Sequence, residues 1–525
     1  MVRRAAGLAV LVLALAPGVA AAAVSGAQAT AVASHQPLVR RLERTHPHAF
    51  SQVSSPLFGE WQVAFFSRDQ EFVQVIVSRD DGRVLHVYTG IQIAWAMARG
   101  VPGAFGGHVT ALYVWIPLTL LFLAPFADLR RPASMRNLDL AALSFFSLSL
   151  AFFDHGEIST SVPLTYPPLV YLLARMLWLV RHPPRGGAPN FPTRWLALGA
   201  VALIAFRVAL NVADSNVIDV GFANVVGAQK IIDNDPLYGQ FPAPIARGDT
   251  YGPVSYEAYV PFVAFLGFSG VWDNLPAAHA AAIFFDLLAI VLLFALGCRI
   301  RDPPTGIVLV YAWVSFPFTA FALECNTNDA LVAALVLGAL LAAGSAPGRG
   351  ALAALASLAK FAPLALVPLF ATHRLRERGL SGIAAFSLAF AVVAALVSVP
   401  ALAHDTLATV YERTISYQAG RSAPFSLWGL YGGLGAAQTA VRIFAIALAG
   451  ALAIIPRRDE LTALAAAAAA ALIAVELGAT YWFYLYIPWF VGLVFVALFA
   501  TPPARRAHGE LGRRLALARI TASAR

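Results

Sequence analysis

Residues 211–255 read NVADSNVIDVGFANVVGAQKIIDNDPLYGQFPAPIARGDTYGPVS, a long polar break between two apolar runs. The break carries five aspartates, Asp214, Asp219, Asp233, Asp235 and Asp249. The 525-residue chain around it is 59% hydrophobic and 12% charged, with a mean hydropathy of +0.70. Apolar stretches near the length of a bilayer crossing make this an all-α polytopic membrane protein and exclude a soluble one. Carboxylates gathered where a span meets solvent suggest chemistry on a membrane-held substrate, so the loop is the first place to look for function.

The formal charge of +9 does not imply nucleic acid, because the arginines cluster in short segments between apolar runs, as the positive-inside bias requires. Cys298 and Cys325 lie at or near ends of apolar runs and have neither metal-ligand spacing nor a disulfide framework. Residues 1–23 begin with Arg3 and Arg4, continue as GLAVLVLALAPGVAAAA and end in small residues, the pattern of a secretory signal, cleaved or kept as an anchor. The next stretch, 24–108, is therefore expected outside the cytoplasm. It holds WQVAFF (61–66), EFVQVIVS (71–78), the turn RDDG and RVLHVYTG (83–90), whose alternation and Asp-Gly turn predict a small antiparallel meander in an α+β domain. These residues resemble a PepSY-type module, whose strands also run into a DGxV turn; a bland extracytoplasmic cap is the other reading.

Spans are expected near 109–127, 139–153, 162–180 and 195–212, then 256–270, 277–298, 304–323, 329–344, 348–372, 381–403, 434–455, 461–478 and 481–500, about 12–14 transmembrane helices in all. Arg130, Arg131 and Arg136 mark one connector as cytoplasmic and Arg181, Arg185 and Arg194 another, which leaves 211–255 outside; the basic tail 501–525 is cytoplasmic. Two topologies satisfy the middle of the series. In the one favoured by charge, 256–270 is a half-buried helix and 348–372 a hairpin of two short helices with Lys360 at its outer tip; in the other both are complete spans.

Of 37 basic residues only Lys230 and Lys360 are lysines. Lys360 interrupts ALAALASLAKFAPLALVPLF, where a charge costs about 2.5–3.5 kcal/mol at a helix centre. It is read as a phosphate contact facing a cavity or as a snorkelling side chain, with Phe361, Ala362 and Pro363 breaking the helix there. Asp219, just past a span, is placed to act as a general base toward a sugar hydroxyl, and Asp214 is the competing base. Asp233-Asn234-Asp235 has the look of a DxD metal motif, but Pro236 and Gly239 favour a turn, and no metal is expected. Asn326, Asn328 and Asp329 in ECNTNDA offer donors and acceptors to a hydroxyl-rich ligand or cap helices. Arg413 and Arg421, in the outer loop 404–428, can each grip a phosphate oxygen or simply solvate the surface. Tyr481, Trp482, Tyr484, Tyr486 and Trp489 read first as an interfacial belt and second as a sugar-stacking surface.

Taken in order, Asp219 after a span, NDPLYG (234–239), YGP (Tyr251, Gly252, Pro253), LAKFAP (358–363) and RSAPFSLW (421–428) resemble the GT-C superfamily of polyprenyl-phosphate-sugar-dependent glycosyltransferases, especially the family 87 mannosyltransferase-like proteins. The resemblance covers roughly 195–500. Gly252 and Asn234 depart from the family's usual proline and glycine, and the segments 24–108 and 109–194 are additions to the core. The resemblance implies an inverting transfer of a hexose or pentose such as mannose from a polyprenyl phosphate donor to a lipid-linked or glycan acceptor outside the membrane. It makes Asp219 the base, Lys360 and an arginine such as Arg421 the balance for the leaving phosphate, and Tyr251 part of the substrate site, with neither cofactor nor metal. A transporter or flippase of lipid-linked sugars, which calls for paired interrupted repeats that the sequence does not display, and a noncatalytic membrane regulator with an extracytoplasmic sensor are the other classes.

Overall fold

The structure, a computed structural model, describes residues 24–54, 59–67, 70–89, 105–155, 157–182, 189–242, 245–270, 275–421, 423–455 and 460–500. The signal-like residues 1–23 and the tail 501–525 lie outside the described residues. Two compact units make up the chain, residues 1–93 with 242–245, and the remainder.

In the first unit β1 (Ala49–Ser54), β2 (Glu60–Ser67), β3 (Gln70–Ser78) and β4 (Val84–Thr89) form an antiparallel meander in the order β1-β2-β3-β4. Alternation within β3 buries Val73, Val75 and Val77 against Val63 and Phe65 of β2. Ala29, Ala33 and Val39, from the helices Gly26–Ser34 and Pro37–Glu43, join the same core. Gly82 supplies the positive φ of 70° in the RDDG turn, and the Arg83 amide donates to Asp81 Oδ1 at 3.1 Å. The expected meander is present, with β1 and two helices besides.

The second unit is helical. Five of its helices are long and apolar enough to cross a membrane: Met135–Asp154, Thr193–Asp214, Pro276–Ile300, Leu375–Leu402 and Gly435–Ile454. A sixth path, Pro303–Ser315 with Pro317–Glu324, is bent by 61°. Phe316 precedes the proline and takes extended backbone, as a pre-proline residue must, so the expected straight run 304–323 is broken there. Leu461–Leu477 and Ile487–Phe499 are shorter and buried almost throughout, whereas Leu375–Leu402 buries little beyond Gly382, Phe386 and Ala401. The outer helices thus present Leu388, Val392, Leu396, Ile443 and Ile446 to the surroundings, as a lipid-facing surface would. One buried charge inside this unit is paired. Arg207 donates to Asp286 Oδ1 at 2.7 Å, to Thr319 O at 2.9 Å and to Trp313 O at 3.2 Å.

Both ambiguous segments are interrupted. Residues 253–266 form two short helices, Pro253–Glu257 and Val260–Leu266, each opened by a proline. Helix Ala346–Ala359 stops at Lys360, and the chain returns through a 3₁₀ turn, Ala362–Leu366, and a short helix, Val367–Ala371. Arg349 donates to Phe370 O at 2.9 Å and to His373 O at 3.2 Å, so both ends of the segment lie side by side and Lys360 stands at the far tip.

Candidate active site

Three loops converge on this tip. Helix Asp219–Ile232 starts against the ECNTNDA knot, where a Cβ on Gly221 would collide with the Asn326 carbonyl. Asn326 itself, at φ 52°, donates to Ser215 Oγ at 2.9 Å and Asn216 O at 2.8 Å and accepts from Asn211 Nδ2 at 3.0 Å. Asn328 Nδ2 donates to Ser255 Oγ at 2.8 Å, which donates to Ala359 O at 2.8 Å. Through these bonds the two amides hold the 211–219 linker, the 253–257 helix and the hairpin tip together, and Asn328 Oδ1 has no partner among the described residues. Gly252 allows a close approach: a Cβ there would overlap Leu358 O.

Asp219 is exposed, and within hydrogen-bond reach its Oδ1 accepts only the neighbouring Val220 amide, at 2.9 Å. Even so, desolvation by surrounding protein raises its carboxyl pKa above the ordinary range, against the pull of Arg421, the Val220 amide and Lys360, while Asp329 pushes the same way as burial. A side chain that solvent reaches but protein surrounds sits in a recess, and the exposure is the fact that matters for access. Tyr251 shares this space: burial first, then Asp219 and Tyr486, push its phenol up, and Arg421 opposes them.

Lys360 is nearly enclosed. Its Nζ donates to Asp329 Oδ1 at 2.5 Å, with the two side chains 8% and 1% exposed. Asp329 Oδ1 also accepts Trp489 Nε1 at 2.8 Å. The ammonium lies 5.0 Å from the Trp489 ring centroid, 5.4 Å from that of Tyr486 and 5.5 Å from that of Tyr251, within cation–π range of each. Tyr486 stacks on Trp489 at 4.2 Å.

Arg421 is half-buried and lies 3.9 Å over the Tyr481 ring, with Tyr417 at 6.0 Å on another side. Its loop is tied down elsewhere. Asp405 Oδ2 accepts the Leu237 and Tyr238 amides at 2.9 and 3.0 Å; Asp249 Oδ2 accepts Arg413 Nε and the Gly239 amide, both at 2.6 Å. Between Arg413 and Tyr417 the helix widens into a π turn, Glu412–Ser416, a feature common near functional sites.

Of the residues expected at a site, Asp219, Lys360, Asp329, Tyr251 and Arg421 are electrostatic neighbours. Arg413 is engaged by Asp249, and Asp214 Oδ2 accepts the His108 amide at 2.8 Å and pairs with His108 Nδ1 at 2.5 Å. Asn234, at φ 58°, turns the chain within the Asp233-Asn234-Asp235 triplet. The aromatic run 481–489 was read first as a belt, but Trp482, Tyr484 and Trp489 are only 3%, 2% and 6% exposed, and Tyr481 and Tyr486 flank Arg421 and Lys360. Spacing alone carries no signal for that inward turn; the sole hint is Glu476, whose Oε2 accepts Trp482 Nε1 at 3.0 Å.

Residues 250–480 match the family model described as Glycosyltransferase family 87. This segment is similar to family 87 glycosyltransferases. Comparison with curated proteins and with solved structures gave no match. The family 87 segment contains Tyr251, Asp329, Lys360 and Arg421; Asp219 lies ahead of it, and Tyr486 and Trp489 lie after it. It does not extend to the N-terminal unit, whose likeness to a PepSY module rests on sequence alone.

Proposed function

We propose that the protein is a glycosyltransferase of the family 87 kind that moves a sugar, mannose or a similar hexose or pentose, from a polyprenyl phosphate to a lipid-linked or glycan acceptor on the extracytoplasmic side of the membrane. The reading rests above all on one juxtaposition, the accessible Asp219 carboxylate with Arg421 as its strongest charged neighbour in one recess. Asp219 takes the proton of the attacking acceptor hydroxyl. The new glycosidic C–O bond forms at the anomeric carbon as the C–O bond to phosphate breaks, with inversion. The lipid phosphate departs with the electron pair and faces Arg421, whose planar fork suits two phosphate oxygens. Because that leaving group is already an anion, a fixed cation can stabilise the transition state without a general acid.

The test is transfer by purified protein from radiolabelled polyprenyl phosphate mannose to membrane glycolipid, read by chromatography and mass spectrometry of the product. Arg421→Ala is expected to lower kcat/KM by about 100-fold or more, the scale of losing one charge-stabilising donor. Wild-type activity in Arg421→Ala removes the arginine from the site, and the absence of turnover with any lipid-phosphate sugar rejects the reading.

A further inference from the structure

We propose that Lys360 does not touch the donor phosphate: with Asp329 it forms a positioning pair that holds the faces of Tyr251, Tyr486 and Trp489 as the wall of the sugar subsite. The inference deepens the transfer reading and rests on it. A phosphate oxygen needs an approach near 2.8 Å to an ammonium. Three ring faces at 5.0–5.5 Å and the Asp329 carboxylate at 2.5 Å already surround Nζ, and the side chain is 8% exposed. Drawing the lysine away would leave Asp329, 1% exposed, with the Trp489 indole as its one side-chain partner among the described residues, and an unpaired buried charge is strongly penalised.

The pair has a geometric task instead. Lys360 is the tip of the hairpin, Asp329 opens helix Asp329–Leu341, Tyr251 lies on the aspartate-rich loop, and Tyr486 with Trp489 opens the last helix. One ion pair therefore ties four separate stretches at a single point. Tyr251 and Tyr486 are half-buried, so part of each ring remains open to a ligand, and Tyr251 is an electrostatic neighbour of Asp219. Aromatic faces backed by a cation and turned toward a catalytic carboxylate suit a pyranose, whose C–H faces pack on rings while its hydroxyls reach acceptors. Arg421 is then the cation left for the phosphate.

A double-mutant cycle tests this. Lys360→Met, Asp329→Asn and the double variant are compared by melting temperature, by kcat and KM with undecaprenyl phosphate mannose, and by affinity for undecaprenyl phosphate alone. Lys360→Met should lose kcat by about 10-fold or more and melt lower, the usual cost of stranding one partner of a buried pair. The double variant should recover the melting temperature in large part, because no charge is then stranded, while kcat stays low because nothing holds the rings, with undecaprenyl phosphate affinity within about 3-fold of wild type. Loss of undecaprenyl phosphate affinity by about 10-fold in Lys360→Met and the double variant alike overturns the proposal, as does a double variant with wild-type kcat. Trp489→Phe, which deletes only the indole donor to Asp329, covers the case in which the double variant does not fold: a lower kcat with unchanged undecaprenyl phosphate affinity is expected, and an unchanged kcat refutes the pair's role. Wild-type protein inert toward every lipid-phosphate sugar rejects the transfer reading instead, while the melting and affinity arms still decide whether lysine and aspartate are coupled.

Discussion

Replacing Asp219 by asparagine separates chemistry from stability in one step. Among the described residues the hydrogen bond to this side chain is from the Val220 amide to Oδ1 at 2.9 Å, and an amide oxygen can accept it as well, so the start of helix Asp219–Ile232 should survive. Removal of a general base costs about 100- to 10,000-fold in turnover. Burial raises the Asp219 pKa, so between the ordinary carboxylate value and the raised one the folded protein holds more protons than the unfolded chain. Stability from this group therefore falls as pH rises through that window, and Asp219→Asn, lacking the term, should be at least as stable as wild type near neutrality. Wild-type kcat should decline as pH drops through the raised value, above the usual aspartate range near about 3.9, while residual activity of the variant shows no such limb. Losing a negative charge beside Arg421 should also leave undecaprenyl phosphate affinity equal or higher. The assays are single-turnover transfer across pH, thermal melting at the same pH values, and equilibrium lipid binding. Turnover within 3-fold of wild type, by the order of the general-base effect, or a melting temperature that drops together with lipid affinity would refute the reasoning.

Asp249→Ala should free the Arg413 side chain and the Gly239 amide together, loosening the loop that carries Arg421. The expected result is a stability loss of about 3–5 kcal/mol by chemical denaturation, with a raised donor KM; an unchanged KM would show that the clasp and the site are independent. Gly252→Ala places a methyl group against Leu358 O, backbone to backbone, and should cost about 1–3 kcal/mol or more and displace the hairpin tip, read as a lower melting temperature and lower kcat.

Hydropathy made the long helices legible, because a run such as 277–298 has one physical solution in a bilayer. It could not decide 256–270 or 348–372, where a broken helix and a complete span have the same apolar composition. What settles them is tertiary: the prolines at 253 and 261, and the pairing of Arg349 with Phe370 O and His373 O across more than twenty residues of sequence. The rarity of Lys360 drew attention to it, yet its partner, Asp329, stands in the sequence only as part of a polar knot. Asn326 and Asn328 looked like ligand groups for the same reason: amide content is visible in sequence, whereas the direction of each hydrogen bond is set by which backbone arrives beside it. The inward turn of Trp489 depends on that same aspartate and has no periodic signature.

The folded-back segment 346–371 also bears on how the protein is made. Its first limb has 14 residues, about 21 Å of helix, short of the roughly 30 Å of a hydrocarbon core, so as folded it cannot serve as a complete span. Arg349 cannot be satisfied until His373 has been synthesised, and Gly350 seats directly against the backbone of Phe386, which is synthesised later still. The face proposed as catalytic is therefore completed only when these later segments arrive to pack against and hydrogen-bond to the hairpin.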